Sequence, residues 1–276
     1  MSSPDILRSR LASPKLLIAP GIYDALSAYR AQEAGFEAVF ISGSALAATH
    51  LARPDIGLLS LGEMAGIVSR ITERIAIPAM VDADQAFGNA YMTARTVKLL
   101  ERAGAAGIQI EDQCEVKPSA APLSRPLIAP AAMADKIKAA KDALVGTTVI
   151  SARTDVTAND GFAAALDRIA LYDDAGADML FVEGLKTRAQ MEELVAAVGG
   201  RKPLLHNLLR ADDEVTSASD VAAMGYAMAL FPGIVPAAIG AALDQALSAL
   251  AVAPVLATPT HPSADRIGAQ DFLARS

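Results

Sequence analysis

Short runs of Val, Ile, Ala and Leu alternate along the chain with longer stretches in which apolar residues recur every three or four positions. The first pattern belongs to strands buried on both faces, the second to helices that cover a sheet with one apolar side. Strand-like runs fall at residues 16–19, 38–42, 79–82, 107–111, 148–152, 179–183, 203–206 and 227–231. Helical stretches fall at 23–34, 61–71, 91–103, 131–144, 161–175, 188–198, 219–224 and 235–250. Eight strand-helix units in ~250 residues predict an α/β fold, a (β/α)8 TIM barrel formed as a single domain by residues 1–252, with a proline-rich tail over 253–276. An open doubly wound sheet is the alternative, but no G-x-G-x-x-G follows the first strand. The joints AGFEAVF, AGAAGIQI and AGADMLF place Gly at helix ends, where the left-handed conformation is wanted. Residues 117–130, with four prolines, predict a long connection after the fourth strand, of the kind that often builds lids and binding loops.

Composition narrows the function. The 276 residues are 53% hydrophobic and 20% charged, enough apolar content for a large core. A net charge of −7, 4% aromatics and no Trp argue against nucleic-acid binding. The single cysteine, Cys114, excludes an internal disulfide and cysteine-based metal clusters. No apolar run of the ~18 residues that a membrane helix needs is read, and the N-terminus lacks the features of a signal peptide, so the expected location is the cytoplasm, with no membrane partner.

In a barrel, the C-terminal strand ends build the active site. Here they carry Ser42-Gly43-Ser44, Asp82-Ala83-Asp84, Glu111-Asp112, Arg153-Thr154-Asp155, Glu183 and His206-Asn207. Carboxylates converging on one mouth repel one another unless a cation neutralises them, and hard oxygen ligands suit Mg²⁺ or Mn²⁺. The alternative for Asp82 and Asp84 is helix capping or pairing with Arg95. Arg153 suits a substrate carboxylate, or pairs with Glu183 or Asp155. His206 is a pocket residue or a structural histidine, and without a second histidine at ligand spacing it is no zinc ligand. Ser42-Gly43-Ser44 is a plain turn, or a nest of N–H groups for a carboxylate or enolate oxygen.

The series GIYDALSA, FISGSALAA, PDIGLLSLGEM, VDADQAFGN, IQIEDQ, ISARTD and FVEG, in order from about Pro20 to Leu250, resembles the isocitrate lyase/phosphoenolpyruvate mutase superfamily. The resemblance implies a barrel whose eighth helix is exchanged between subunits of a homotetramer, and chemistry on small 2-oxo or 2-hydroxy acids through an enolate-like species with Mg²⁺. It implies a metal region of Asp82, Asp84, Glu111 and Asp55, partly through water. It also implies that Ser42, Gly43, Ser44 and Arg153 hold the substrate carboxylate and oxyanion, with Glu183 and Asn207 in the same pocket and His206 beside them. The departure is in the loop. Where lyases of the superfamily carry K-K-C-G-H, this chain reads Lys117-Pro118-Ser119-Ala120-Ala121, leaving Lys117 and Ser119 as the loop's candidate catalytic groups. A serine hydroxyl is a far weaker acid than a thiol of pKa about 8.5. The expected function is a carbon-carbon lyase, with oxaloacetate-type decarboxylation first because it asks least of the missing acid. The alternatives are retro-aldol cleavage of a substituted malate or methylisocitrate-like acid, phosphonopyruvate hydrolase or phosphoenolpyruvate mutase chemistry, and a catalytically idle barrel.

Overall fold

The computed structural model describes residues 1–114 and 125–255, and within them eight parallel strands close into a barrel in chain order. They are β1 (Leu17–Ile22), β2 (Val39–Ile41), β3 (Ala79–Asp82), β4 (Gly107–Glu111), β5 (Val149–Thr154), β6 (Met179–Val182), β7 (Leu204–Asn207) and β8 (Met228–Phe231). Each overlaps one of the strands expected from the hydrophobic pattern. Closure comes from β1 pairing with β8, Leu17 opposite Met228 through Pro20 opposite Phe231. At that seam a Cβ on Gly21 would lie 2.2 Å from the Pro232 carbonyl oxygen, so the backbones meet only because the residue is glycine.

Alternation along each strand sorts the core into two parts. Leu17, Phe40, Met80, Val149, Phe181 and Leu205 fill the barrel, while Val39, Ile41, Val81, Ile108, Ile150 and Leu180 face the helices. The helices expected between strands are α2 (Ala25–Glu33), α4 (Leu61–Arg74), α5 (Ala90–Arg102), α6 (Pro130–Ala143), α8 (Phe162–Asp174), α9 (Arg188–Val198), α10 (Ala218–Ala223) and α11 (Ile234–Val252).

Three further helices were not expected from periodicity: α1 (Ser3–Leu11), α3 (Gly43–Leu51) and α7 (Thr157–Asp160). Each spans nine residues or fewer and lies outside the repeat of one helix per strand, α1 ahead of β1 and α3 and α7 beside α4 and α8. In α1, Ser2 caps the first turn and Leu7 and Leu11 enter the barrel cluster. Leu7 lies so close to Gly107 that a Cβ there would sit 3.0 Å from it. Arg8 donates to the carbonyls of Thr147 (2.6 Å) and Thr148 (3.2 Å) and pairs with Asp178. The N-terminal end of the barrel is thereby sealed, and the C-terminal end is left for chemistry.

One expectation about the chain's apolar runs is corrected. By length and composition alone, the 19-residue α11 is long and apolar enough to cross a membrane. None of its residues is buried in the single chain, and Ile239, Leu243, Leu247 and Leu250 are exposed. The run was missed because Asp244 and Gln245 interrupt it and small Ala residues dilute its hydrophobicity.

In β7 the alternation sends Leu205 and Asn207 inward and Leu204 and His206 toward the helices. The His206 ring packs edge-on against Tyr226, centroids 5.8 Å apart, and burial pushes its pKa down from 6.5 to about 4. His206 is neutral in the fold and protonates more readily once unfolded. Its contribution to stability is therefore complete above pH 6.5 and is lost as pH falls toward 4, by about 3 kcal/mol. Urea denaturation between pH 7 and pH 4 should show this loss in the native sequence and a correspondingly flatter profile in His206→Leu. Identical profiles for the two proteins would contradict the assignment.

Candidate active site

Arg153 stands at the C-terminal end of β5, inside the barrel, and three strand ends supply it with carboxylates. Its Nε and Nη2 donate to the two oxygens of Asp155, each at 2.8 Å. Glu111 from β4 lies 3.4 Å from Nε, and Glu183, just past β6, lies 3.6 Å from Nη2. The guanidinium also sits over the Phe181 ring, 5.2 Å from its centroid. Burial would lower the Arg153 pKa, but Asp155, Glu111 and Glu183 raise it well above its ordinary value. Burial likewise works against the Asp155 carboxylate, and Arg153 outweighs it, holding Asp155 below the usual range. Nη1 has no partner among the described residues, so this charge keeps one hydrogen-bonding edge for a ligand.

The neighbouring residue of the E-D-Q motif has another task. Asp112 points to the helix side, accepts from Arg168 Nη1 (2.9 Å), the Tyr172 hydroxyl (2.8 Å) and the Asp155 backbone N–H (3.1 Å), and is buried. Alternation alone divides Glu111 for the site from Asp112 for the scaffold.

A second acidic group forms at the end of β3. Asp84 takes a left-handed backbone, φ 48°, and its N–H donates to Asp82 Oδ1 at 3.2 Å. Both carboxylates turn toward Gly43, the first residue of α3. A Cβ there would lie 3.2 Å from Asp82 Oδ2 and 3.7 Å from Asp84 Oδ1. Gly43 thus leaves a cradle that any other side chain would begin to fill. Asp55, from the α3–α4 connection, and Asp82 border one cavity. Among the described residues no three His, Cys, Asp or Glu side chains are grouped closely enough to hold a metal directly. An all-oxygen set of this kind fits a hard cation that keeps several of its waters and takes one or two carboxylates directly, the habit of Mg²⁺ and Mn²⁺.

Ser42 caps α3, its Oγ accepting from Ala45 N–H (3.4 Å) and lying 3.0 Å from Ser44 Oγ. The N–H groups of Gly43 and Ser44, in the first turn, have no acceptor among the described residues, as expected of a helix start. Asn207 Nδ2 donates to Glu183 Oε2 at 2.9 Å. A cavity of about 730 Å³ brings together Ser42, Asp82, Glu111, Arg153, Glu183 and Asn207. His206 contributes to its wall, with its ring turned to Tyr226. Lys117 and Ser119 lie outside the described residues. The strand-end pattern includes Asp155, also as an ion-pair partner of Arg153, but not Gln109, Ser151, Lys186 or Arg210. Gln109 and Ser151 lie opposite each other one step below Glu111 and Arg153, and their side-chain polar atoms are buried without partners among the described residues. Ordered water commonly satisfies such groups. The signal for Gln109 was a polar residue at the centre of a strand otherwise buried and apolar.

Comparison with known proteins gives the site its setting. Residues 7–251 match the family described as phosphoenolpyruvate phosphomutase. The 2,3-dimethylmalate lyase of Eubacterium barkeri is 35% identical over 243 residues, covering 84% of this chain and 80% of that protein. The 2-methylisocitrate lyase of Aeropyrum pernix is 39% identical over 228 residues, covering 82% and 73%. The structure of oxaloacetate acetylhydrolase in complex with the inhibitor 3,3-difluorooxalacetate superposes with a TM-score of 0.93 at 29% identity, covering 99% of this chain and 96% of that one. On the family match, and on lyases sharing more than a third of its residues over most of both chains, this chain belongs to the phosphoenolpyruvate phosphomutase family, within the isocitrate lyase/phosphoenolpyruvate mutase superfamily.

Proposed function

We propose that the protein is a divalent-metal-dependent carbon-carbon lyase that releases pyruvate, or a close 2-oxo acid, from a small 2-oxo or 2-hydroxy dicarboxylate in the cytoplasm. The observation that carries this reading is Arg153, a buried cation fixed by three carboxylates with Nη1 unpartnered among the described residues, in a cavity whose wall also carries Asp82 and Asp55. Nη1 takes the substrate's C1 carboxylate. Ser42 and the N–H groups of Gly43 and Ser44 hold the oxygen on C2, where charge develops. Asp82, with Asp84, Glu111 and Asp55 around it, holds Mg²⁺ or Mn²⁺. When bound, the cation supplies positive charge beside that same oxygen.

In the retro-aldol form the 2-hydroxyl gives its proton to a base, the C2–C3 bond breaks, and its electron pair leaves with the departing fragment, which is then protonated. Glu183 is the base best placed for this. Its side chain is 25% exposed against 1% for Glu111 and 8% for Asp155, and Asn207 orients it. The size of the cavity and the names of the relatives support this form. Decarboxylation of an oxaloacetate-type acid is the second reading, favoured by Ser119 in place of the loop cysteine, with Lys117 as the loop's cation.

Purified protein with Mg²⁺ should release pyruvate from 2,3-dimethylmalate or 2-methylisocitrate with a kcat/KM above that for oxaloacetate. The reverse order would install decarboxylation as the activity.

Replacing Asp82 by Ala should weaken Mg²⁺ binding by about a hundredfold or more and remove turnover, with the circular dichroism spectrum and thermal midpoint retained. Calorimetric titration showing native Mg²⁺ affinity in the variant would take Asp82 out of the metal site.

The uncovered face of α11 supports a homotetramer in which a second copy covers this helix, since an apolar surface of that extent is seldom left to water. Sedimentation at micromolar concentration should give about four times the 28.5 kDa chain mass, and a mass near one chain would contradict the assembly.

A further inference from the structure

We propose that Lys186 and Arg210 form a second anion-reading pair at the outer part of the cavity, specific for a carboxylate on the portion of the substrate that departs from the pyruvyl unit. The proposal rests on the lyase reading above and adds to it the chemistry of the substrate's far end.

Lys186 follows β6 and Arg210 follows β7, and these strands are hydrogen-bonded neighbours, so the two loops rise side by side at the C-terminal face. Both side chains border the same cavity as Arg153. Neither makes an ion pair or a side-chain hydrogen bond among the described residues, although cations close by in the sequence do. Arg188 pairs with Asp220 at 2.7 Å, while Arg201 and Lys202 share Asp173 at 3.0 and 3.7 Å. Arg125, another cation on the cavity wall, is bound to Gln113 at 3.1 Å. Asp213 borders the cavity too, without a bond to either member of the pair.

The backbone under Lys186 is fixed. Its N–H donates to Gln190 Oε1 at 3.1 Å within the cap of α9, and its carbonyl accepts from Glu214 N–H at 3.3 Å, tying the β6 loop to the β7 loop. Leu209, next to Arg210, is exposed and borders the cavity, offering apolar surface to the carbon chain of a ligand. Among the described residues the inner floor offers no comparable place for a second carboxylate, because Arg153 is already shared among Asp155, Glu111 and Glu183. A substrate with a distal negative charge therefore finds its complement at Lys186 and Arg210.

The location also bears on which bond is broken. In retro-aldol cleavage the electron pair of the C2–C3 bond passes to the departing fragment and is delocalised onto a carboxylate bonded to C3, so a cation beside such a group favours the reaction, and a carboxylate further out keeps its charge throughout. In decarboxylation the departing carboxylate loses its charge as it becomes CO2, and a cation gripping it opposes the step. The pair accordingly suits substrates whose distal carboxylate survives cleavage.

Calorimetry of the full chain with Mg²⁺ and three ligands tests this. Oxalate, an enolate mimic, probes the inner site alone, while 2-oxoglutarate and 2-oxopentanoate differ only in the distal carboxylate. The unmodified protein should bind 2-oxoglutarate about tenfold more tightly than 2-oxopentanoate, as expected of two partly solvated charge contacts. The Lys186→Met/Arg210→Met variant should bind the two within about twofold of each other and keep oxalate affinity within about twofold, and each single Gln variant should lose part of the preference. Equal affinities in the unmodified protein, or a preference that survives the double substitution, would overturn the pair while oxalate binding keeps the lyase reading intact. Absence of oxalate binding to the unmodified protein would overturn the lyase reading itself.

Discussion

A guanidinium is expensive to take out of water, and Arg153 is held inside the barrel because three strand ends deliver carboxylates to it at once. The reverse also holds. Glu111 and Asp155 are themselves buried, and the arginine holds the Asp155 carboxylate below its usual range, so the members depend on one another. Such a cluster needs β4, β5 and β6 in correct register, with Glu111 opposite Arg153 and Arg153 opposite Phe181. A slip of one residue would turn these side chains to the helices and bring Asp112 inward. The site thus rests on the same alternation that sorts the hydrophobic core.

The two ends of the barrel are treated differently, and the difference makes the site usable. At the N-terminal end α1 inserts Leu7 and Leu11 into the barrel cluster. At the C-terminal end Gly43 keeps its Cα close to two carboxylates without filling the space between them, and the loops after β6 and β7 carry cations outward. Charge is graded along the cavity. The floor combines Arg153 with several acids, and the outer part presents Lys186 and Arg210. An acid with its reacting end at the proposed metal site and its charge at the far end would match that order.

Much of this was legible in the chain itself. Eight apolar runs with helical stretches between them define a (β/α)8 barrel because parallel strands buried on both faces and their covering helices have distinct periods. Polar residues at strand ends mark the site because the barrel topology sends every such end to one face. Asp82, Glu111, Arg153, Glu183 and Asn207 are candidates on that ground, and they border one cavity, while the E-D-Q and A-R-T-D motifs indicate the family.

What only the tertiary structure decided is the assignment of partners and of faces. The sequence by itself determined that Arg153 would stand near several acids, but that Asp155 takes it bidentate depends on side-chain geometry two residues along a strand. His206 and Asn207 are adjacent in sequence, and alternation turns one to Tyr226 and the other to Glu183. Lys186 and Arg210 carry no motif, and they share a cavity only because β6 and β7 pair across the barrel wall. The helices α1 and α3 lie outside the repeat of one helix per strand, and packing and capping define them. Periodicity and composition are local properties that a chain displays on its own, whereas proximity between distant residues exists only once the barrel closes.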